Sequence, residues 1–331
     1  LYTIGGTPYR DVLKWVGSLD HMRSLRADYL VPSHTGFVAG AEQIDEILTT
    51  YRDAIQFVHD QTVRGMNAGM TPDELAQTVV LPEHLAEHPY LQELYGTVQW
   101  SVRSIFDGYL GWFDGDAATL DGPTPSDRAA AMVNLAGGRD ALLDQATAQM
   151  EAGQFALAAE FAGHIVRLDP ANKPARQIRH NAFRALAGQS TSPNGRHYYL
   201  TAARESLDQL TVTGAPTIDE RVRALIYSIP IENFLAAMPT RLNAAASADK
   251  NILASFHFTD VDRSFGLHVR RGVAEFMLQR PETPDVAITT STDVWRRIVL
   301  GERNLAVALA RGDVTVEGGA PALVEFLRLF R

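Results

Sequence analysis

The hydrophobic period changes sharply late in this chain, and that change limits the fold more than any other feature. From Ala41 onward apolar residues recur every three or four positions, the mark of helices with one buried face. Beyond Thr211–Pro216 a second pattern follows: Ile252, Ala254, Phe256 and Phe258, then Phe265, Leu267 and Val269, then Ala274, Phe276 and Leu278 alternate with other residues. Alternation marks half-buried strands. The chain therefore needs an all-helical region and a separate α+β region, with Thr211–Pro216 as the linker. Its 331 residues leave room for two or three domains.

In the helical region, Ala41–Ala68 reads as one long helix buried along Ile44, Ile47, Leu48, Tyr51, Ile55, Val58 and Val63. Thr71-Pro72-Asp73-Glu74 opens the next, with Thr71 as N-cap, Pro72 at the first helical position and Glu74 at capping-box spacing. Leu91–Phe113 predicts a helix rich in aromatics (Tyr95, Trp100, Phe106, Tyr109, Trp112, Phe113). Such a face lines an acyl pocket or packs at a helix or subunit contact, and the second is the commoner use. Asp114–Ser126 reads as a loop, with Asp114-Gly115-Asp116 as a turn that lacks the spacing of a calcium loop. Asp127–Gly188 is helical throughout. Gly153, Phe155, Ala158, Asp169-Pro170 and Asn172 fit one 34-residue tetratricopeptide unit, so one or two such hairpins are expected. Ser190–Arg196 reads as a loop and Tyr198–Leu210 as a helix.

In the second region Ile218–Ala245 is helical. Asp260–Asp262 and Arg271-Gly272 are hairpin turns, Val286–Thr289 a strand, and Thr292 the cap of a helix to Leu300. Asn304–Ala310 is helical, Val314–Glu317 a strand and Ala320–Phe330 a last helix. One helix-covered antiparallel sheet is expected. Phe256, Phe258, Phe265, Phe276 and Leu278 on one face either enclose an apolar tunnel or fill a solid core.

The start of the chain is different again. Leu1–Ile4 reads as a strand, Gly5-Gly6-Thr7-Pro8 as a turn and Tyr9–Leu25 as a helix with Val12, Leu13, Val16, Leu19 and Met22 on one face. Tyr29–Pro32 reads as a buried strand ending in the polar loop Ser33-His34-Thr35-Gly36, where a histidine is held rigidly and exposed. This β-α-β piece of some 35 residues is too small to fold alone, and the chain reads as a fragment or processed form. Arg10, beside a helix start, is a natural oxyanion contact. His84-Leu85-Ala86-Glu87-His88 spells a zinc-peptidase motif, but Pro82 and Pro89 bracket it and push His88 out of the helix, so it reads as a surface turn. The net charge of −9 and the lack of a basic run disfavour nucleic acid and anionic membranes; no apolar run reaches the ~18 residues of a membrane span. With no cysteine there is neither a disulfide nor a thiolate zinc site, and neither compartment nor signal region can be read.

Five stretches in order, LYTI-x-G-x-x-x-RD, YLVPSHT, YRDAIQFVHDQT, LAEHPYLQELYG and YLGWFDGDAATL, give a resemblance that covers the whole chain. It resembles the alkyl sulfatases of the metallo-β-lactamase superfamily. The resemblance implies three parts: residues 1–40, the end of an αββα metallo-β-lactamase-like catalytic domain; residues 41–210, an all-α dimerisation domain with tetratricopeptide-like hairpins; and residues 216–331, an α+β domain similar to sterol carrier protein. It implies two zinc ions held by H-x-H-x-D-H, two acidic residues and a late histidine, of which only the last falls here, as His34. It implies substrate contacts at Leu1, Tyr2, Thr3, Ile4, Gly5 and Arg10. The family commonly has arginine where this chain has Gly5, which removes a bidentate sulfate partner. The expected activity is hydrolysis of sulfate monoesters of long-chain alcohols by a homodimer built through residues 41–120; the alternative is a non-enzymatic dimerisation and alkyl-chain-binding module.

Overall fold

The computed structural model describes Ile4, residues 9–211 and residues 220–330. Two compact units divide between Val212 and Thr213, within the Thr211–Pro216 stretch, most of which lies outside the described residues.

The first unit begins with α1 (Val12–Ser24), whose N-cap Asp11 accepts a hydrogen bond from the Lys14 amide. Val12, Val16 and Leu19 are buried, while Leu13 and Met22, expected on the same face, are exposed. β1 (Tyr29–Leu30) and β2 (Val38–Ala39) pair antiparallel, so His34 stands on a hairpin loop. The expected buried strand is corrected here: Tyr29 is 69 % and Val31 79 % exposed, because no described element covers the outer face of this two-stranded ribbon. α2 (Ala41–Asn67) packs along α1, and Arg52 of α2 pairs with Asp20 of α1 at 3.0 Å.

α3 (Pro72–Thr78) carries the complete capping box, Thr71 accepting from the Glu74 amide and Glu74 from the Thr71 amide. α4 (Glu83–Ala86) is a single turn. The expected helix 91–113 is replaced by a 3-10 turn at Pro89–Leu91, an irregular stretch and α5 (Val98–Leu110). Thr97 caps α5 and Glu93 accepts from the Val98 amide, which sets the start; Gly111, at φ 79°, sets the end. Val102, Ile105 and Phe106 bury the face of α5 that joins α1, α2 and α3 in one core. The Asp114 loop contains the short α6 (Ala117–Leu120), capped by Asp116. Asp114 accepts from the Thr119 hydroxyl and the Asp116 amide, the expected turn.

α7 (Pro125–Leu135), α8 (Arg139–Glu151), α9 (Phe155–Leu168), α10 (Lys173–Gln189) and α11 (Pro193–Ser206) follow, each of α8 to α11 packing on the helix before it. Fully buried alanines (Ala146, Ala158, Ala162, Ala175, Ala182) let these helices approach closely. α11 starts earlier than its apolar pattern suggests, because Ser192 caps it and Pro193 fits its first turn.

In the second unit prolines split the expected helix into α12 (Glu220–Ser228), α13 (Ile231–Ala237) and a 3-10 turn at Met238–Arg241. β3 (Asn251–Phe258), β4 (Arg263–Arg270), β5 (Val273–Met277), β6 (Val286–Thr290) and β7 (Val314–Glu317) form one sheet in the order β5-β4-β3-β6-β7. The sheet is mixed rather than antiparallel: β3 and β6 run parallel, with Phe256 opposite Ile288. α14 (Thr292–Val299), α15 (Leu305–Ala310) and α16 (Ala320–Arg328) accompany it. Ser291, not Thr292, caps α14; the Thr292 hydroxyl donates to Asp260 at 2.6 Å. Burial raises the Asp260 carboxyl, but hydrogen bonds from the Thr292 hydroxyl and amide outweigh it and hold the group below the usual carboxylate range.

The sheet carries a solid core. Phe256, Phe258, Phe265, Trp295 and Phe326 are fully buried, and the Trp295 ring stands edge-on to Phe256 at 4.9 Å. Leu278, expected on that face, lies past the end of β5 and is exposed.

Candidate functional site

The first unit's candidate site starts from Arg10, just before the cap of α1. Its guanidinium lies 5.8 Å from the centroid of the Trp15 ring, a cation–π distance. Asp11 already satisfies the helix start, and the Lys14 amide holds its carboxyl below the usual range. An anion here therefore meets Arg10 rather than the bare helix terminus that the sequence suggests.

Arg10 and Trp15 border a cavity of about 210 Å³. Tyr51, Ala54, Ile55 and Val58 of α2 line it, together with Tyr90, Leu91, Tyr95 and Val98. The segment Leu91–Val98 also borders a second cavity of about 800 Å³ with Val79, Val80, Leu94 and Trp100. A cation at the rim and apolar walls behind it suit an amphiphile with an anionic head. The loop that makes this wall is tied from a distance: the Ser192 hydroxyl and the Asn194 amide both donate to the Tyr95 carbonyl, at 2.9 and 3.2 Å. Nothing local in the sequence announces a bond across 97 positions.

Among the other predicted substrate residues, Leu1, Tyr2, Thr3 and Gly5 lie outside the described residues, and Ile4 is half-buried. His34 is exposed on the β1–β2 loop. Among the described residues no three His, Cys, Asp or Glu side chains come together as a metal site, so those residues alone do not fit a zinc centre. His88 has left α4, as Pro89 requires: its Nδ1 accepts from the Tyr90 amide and its Nε2 stands 3.5 Å from Glu46. Among the described residues no helix is long and apolar enough to cross a membrane.

Comparison with known proteins defines the architecture. Residues 71–209 match the family described as alkyl sulfatase dimerisation, and residues 220–331 that described as alkyl sulfatase C-terminal. The chain carries the alkyl sulfatase dimerisation and C-terminal domains. A linear primary-alkylsulfatase of a Pseudomonas species is 40% identical over 337 residues, covering 100% of this chain and 64% of that protein. A second Pseudomonas linear primary-alkylsulfatase is 29% identical over 98% of this chain and 49% of its own length. The structure of the stereoselective inverting sec-alkylsulfatase Pisa1 from Pseudomonas sp. superposes with a TM-score of 0.90 at 28% identity, over 98% of this chain and 51% of that one. The chain thus spans about half to two thirds of the length of the relatives it matches.

Sequence reasoning missed three features of the chain. One is the double hold on Tyr95. Another is a contact between α2 and α5, in which buried His59 bonds Asp60 and Tyr109. The third is a cavity of about 610 Å³ in the second unit, bordered by Met238, Ile298, Leu305, Leu309, Leu327 and Phe330 with Arg241, Arg303 and Arg328. The phenylalanines expected to line a tunnel are in the solid core instead.

Proposed function

We propose that this chain is part of a zinc-dependent alkyl sulfatase that hydrolyses sulfate monoesters of long-chain alcohols to alcohol and sulfate. The observation that carries the reading is 40% identity along the whole chain to a linear primary-alkylsulfatase. The Arg10 cavity supports it chemically: the guanidinium offers two parallel N–H donors to a sulfate, and the walls from α2 and Leu91–Val98 offer apolar surface to the alkyl tail. Leu1–Gly5 would complete the substrate contacts. His34 would contribute one zinc ligand, the others coming from outside the residues described, and the protein would work as a homodimer.

The finer fold reading is also ours. The segment before Ala41 is read as the end of a metallo-β-lactamase-like domain, the successive pairs α8 to α11 as tetratricopeptide-like hairpins, and the mixed sheet with α14 to α16 as a sterol-carrier-like domain. The 610 Å³ cavity favours, as a second reading, an alkyl-chain-binding role for the second unit. Sulfate release from dodecyl sulfate by the longer protein, with metal analysis, tests the first reading. It expects activity and bound zinc, with one metal lost in His34→Ala. A His34→Ala protein that keeps its full metal content and normal sulfate release overturns the ligand assignment. Activity in this 331-residue chain alone overturns the need for further ligands. Tight binding of long-chain alcohols without hydrolysis by the longer protein favours the second reading.

A further inference from the structure

Arg10 reaches the cavity from an irregular segment before α1, and a long cation on such a segment is a poor anion receptor unless something fixes its base. The residue beside it is fixed. The Tyr9 ring lies directly over Gly108 of α5: a Cβ placed on Gly108 would stand 2.4 Å from two of its ring carbons, closer than any real contact. Only glycine leaves that seat open.

The seat is held from behind. Tyr109, next to Gly108, stands edge-on to Tyr9 at 6.3 Å between ring centroids, and its hydroxyl lies 2.8 Å from His59 Nε2. His59 Nδ1 lies 2.8 Å from the Asp60 carboxylate. The His59 side chain is only 8 % exposed, and a carboxylate accepts only, so Nδ1 carries the proton and donates to Asp60. In the neutral ring Nε2 is then the acceptor, and the Tyr109 hydroxyl donates to it. This bond ties Tyr109 to α2 and fixes where its ring stands. Tyr9 meets Tyr109 ring to ring, and burial first, then Tyr109, pushes the Tyr9 pKa up. The order is Asp60, His59, Tyr109, Tyr9, running from α2 through α5 to the segment that bears Arg10.

We propose that Asp60, His59 and Tyr109 are positioning residues that lock Tyr9 onto Gly108 and thereby hold Arg10 at the rim of the cavity, setting affinity for the anionic head of the substrate. The inference rests on the alkyl sulfatase reading above. None of the relay residues borders the cavity, so their effect on substrate passes through Arg10. Loss of the relay frees the segment before α1 and weakens binding of the anion, while the reacting groups stay in place. It therefore raises KM and leaves kcat almost unchanged.

The experiment uses the longer protein, sulfate release from dodecyl sulfate, and four variants: Tyr109→Phe, Gly108→Ala, Tyr9→Ala and Arg10→Ala. Tyr109→Phe keeps the ring and the packing, so folding is preserved. It should raise KM about tenfold, with kcat within about twofold of wild type. Gly108→Ala should raise KM at least as much, and should add nothing further when Tyr9→Ala is already present, because the ring it would strike first is then gone. Three results overturn the relay while leaving the alkyl sulfatase reading intact. In the first, the wild type is active and Arg10→Ala raises KM, yet Tyr109→Phe and Gly108→Ala leave it unchanged. In the second, Tyr109→Phe lowers kcat at constant KM. In the third, the Gly108→Ala effect persists undiminished beside Tyr9→Ala. A wild-type protein that releases no sulfate from any alkyl sulfate overturns the reading and the relay together.

Discussion

The two units of this chain bury apolar surface by opposite means. The second draws one continuous core from its sheet and helices, centred on Phe256, Phe258, Phe265, Trp295 and Phe326. The first distributes its burial among separate clusters. One joins α1, α2, α3 and α5 through aliphatic residues; two small ones between α7 and α10 rest on alanines. A core of large rings is vulnerable to truncation, because neighbours collapse only partly into the space left. A seam of alanines has little to lose by truncation and is vulnerable to enlargement, because the helices must move apart. The ring core of the second unit is one block; the alanine seam of the first gives stacked helices whose spacing is set by the smallest side chain.

The largest effect should come from the ring core. Trp295→Ala removes a fully buried side chain packed edge-on to Phe256 and should cost about 3–5 kcal/mol, read by equilibrium denaturation. A loss below about 1 kcal/mol would remove the contrast from the second unit's side. In the alanine seam the direction reverses. Ala162 is fully buried on α9, and Ala162→Leu should cost about 1–3 kcal/mol, while Ala162→Gly should cost about 1 kcal/mol, from helix propensity.

The smallest effect is local and belongs to neither core. Thr71→Val removes the capping hydroxyl of α3 and should cost about 1 kcal/mol. The Thr71 amide, then its hydroxyl, hold the Glu74 carboxyl below its ordinary value. Its folded pKa is thus lower than its unfolded one, so its contribution is present above the ordinary carboxylate pKa and is lost as pH falls through the folded value. Thr71→Val should therefore narrow the stability difference between neutral and acid pH; an unchanged acid limb of the stability curve would contradict the capping account.

What the sequence made legible was local chemistry. Thr71-Pro72-Glu74 reads as a cap because all three partners lie within one turn. Val314–Glu317 reads as a strand by alternation, and Pro89 removes His88 from its helix by steric exclusion. What stayed hidden was pairing at long range. The apolar pattern identifies β3 and β6 as strands but carries no direction, so their parallel pairing was invisible. Ser291 and Thr292 are both good caps, and only Asp260, 32 positions from Thr292, decides between them. Tyr29 and Val31 read as buried because they are apolar, yet apolarity does not say what covers a residue. At the candidate site Arg10 was legible beside a helix start. Its cavity was not, since the walls come from α2 and from a loop pinned by Ser192. The His59–Tyr109 bond spans 50 positions and follows no spacing rule.

The central claim is that Arg10 and the cavity behind it receive the sulfate end of an alkyl sulfate. The direct measurement is KM for dodecyl sulfate in the longer protein, wild type against Arg10→Ala, with circular dichroism to confirm folding. Loss of a bidentate, charge-assisted contact should raise KM about tenfold or more. A KM for Arg10→Ala equal to that of wild type would contradict the account.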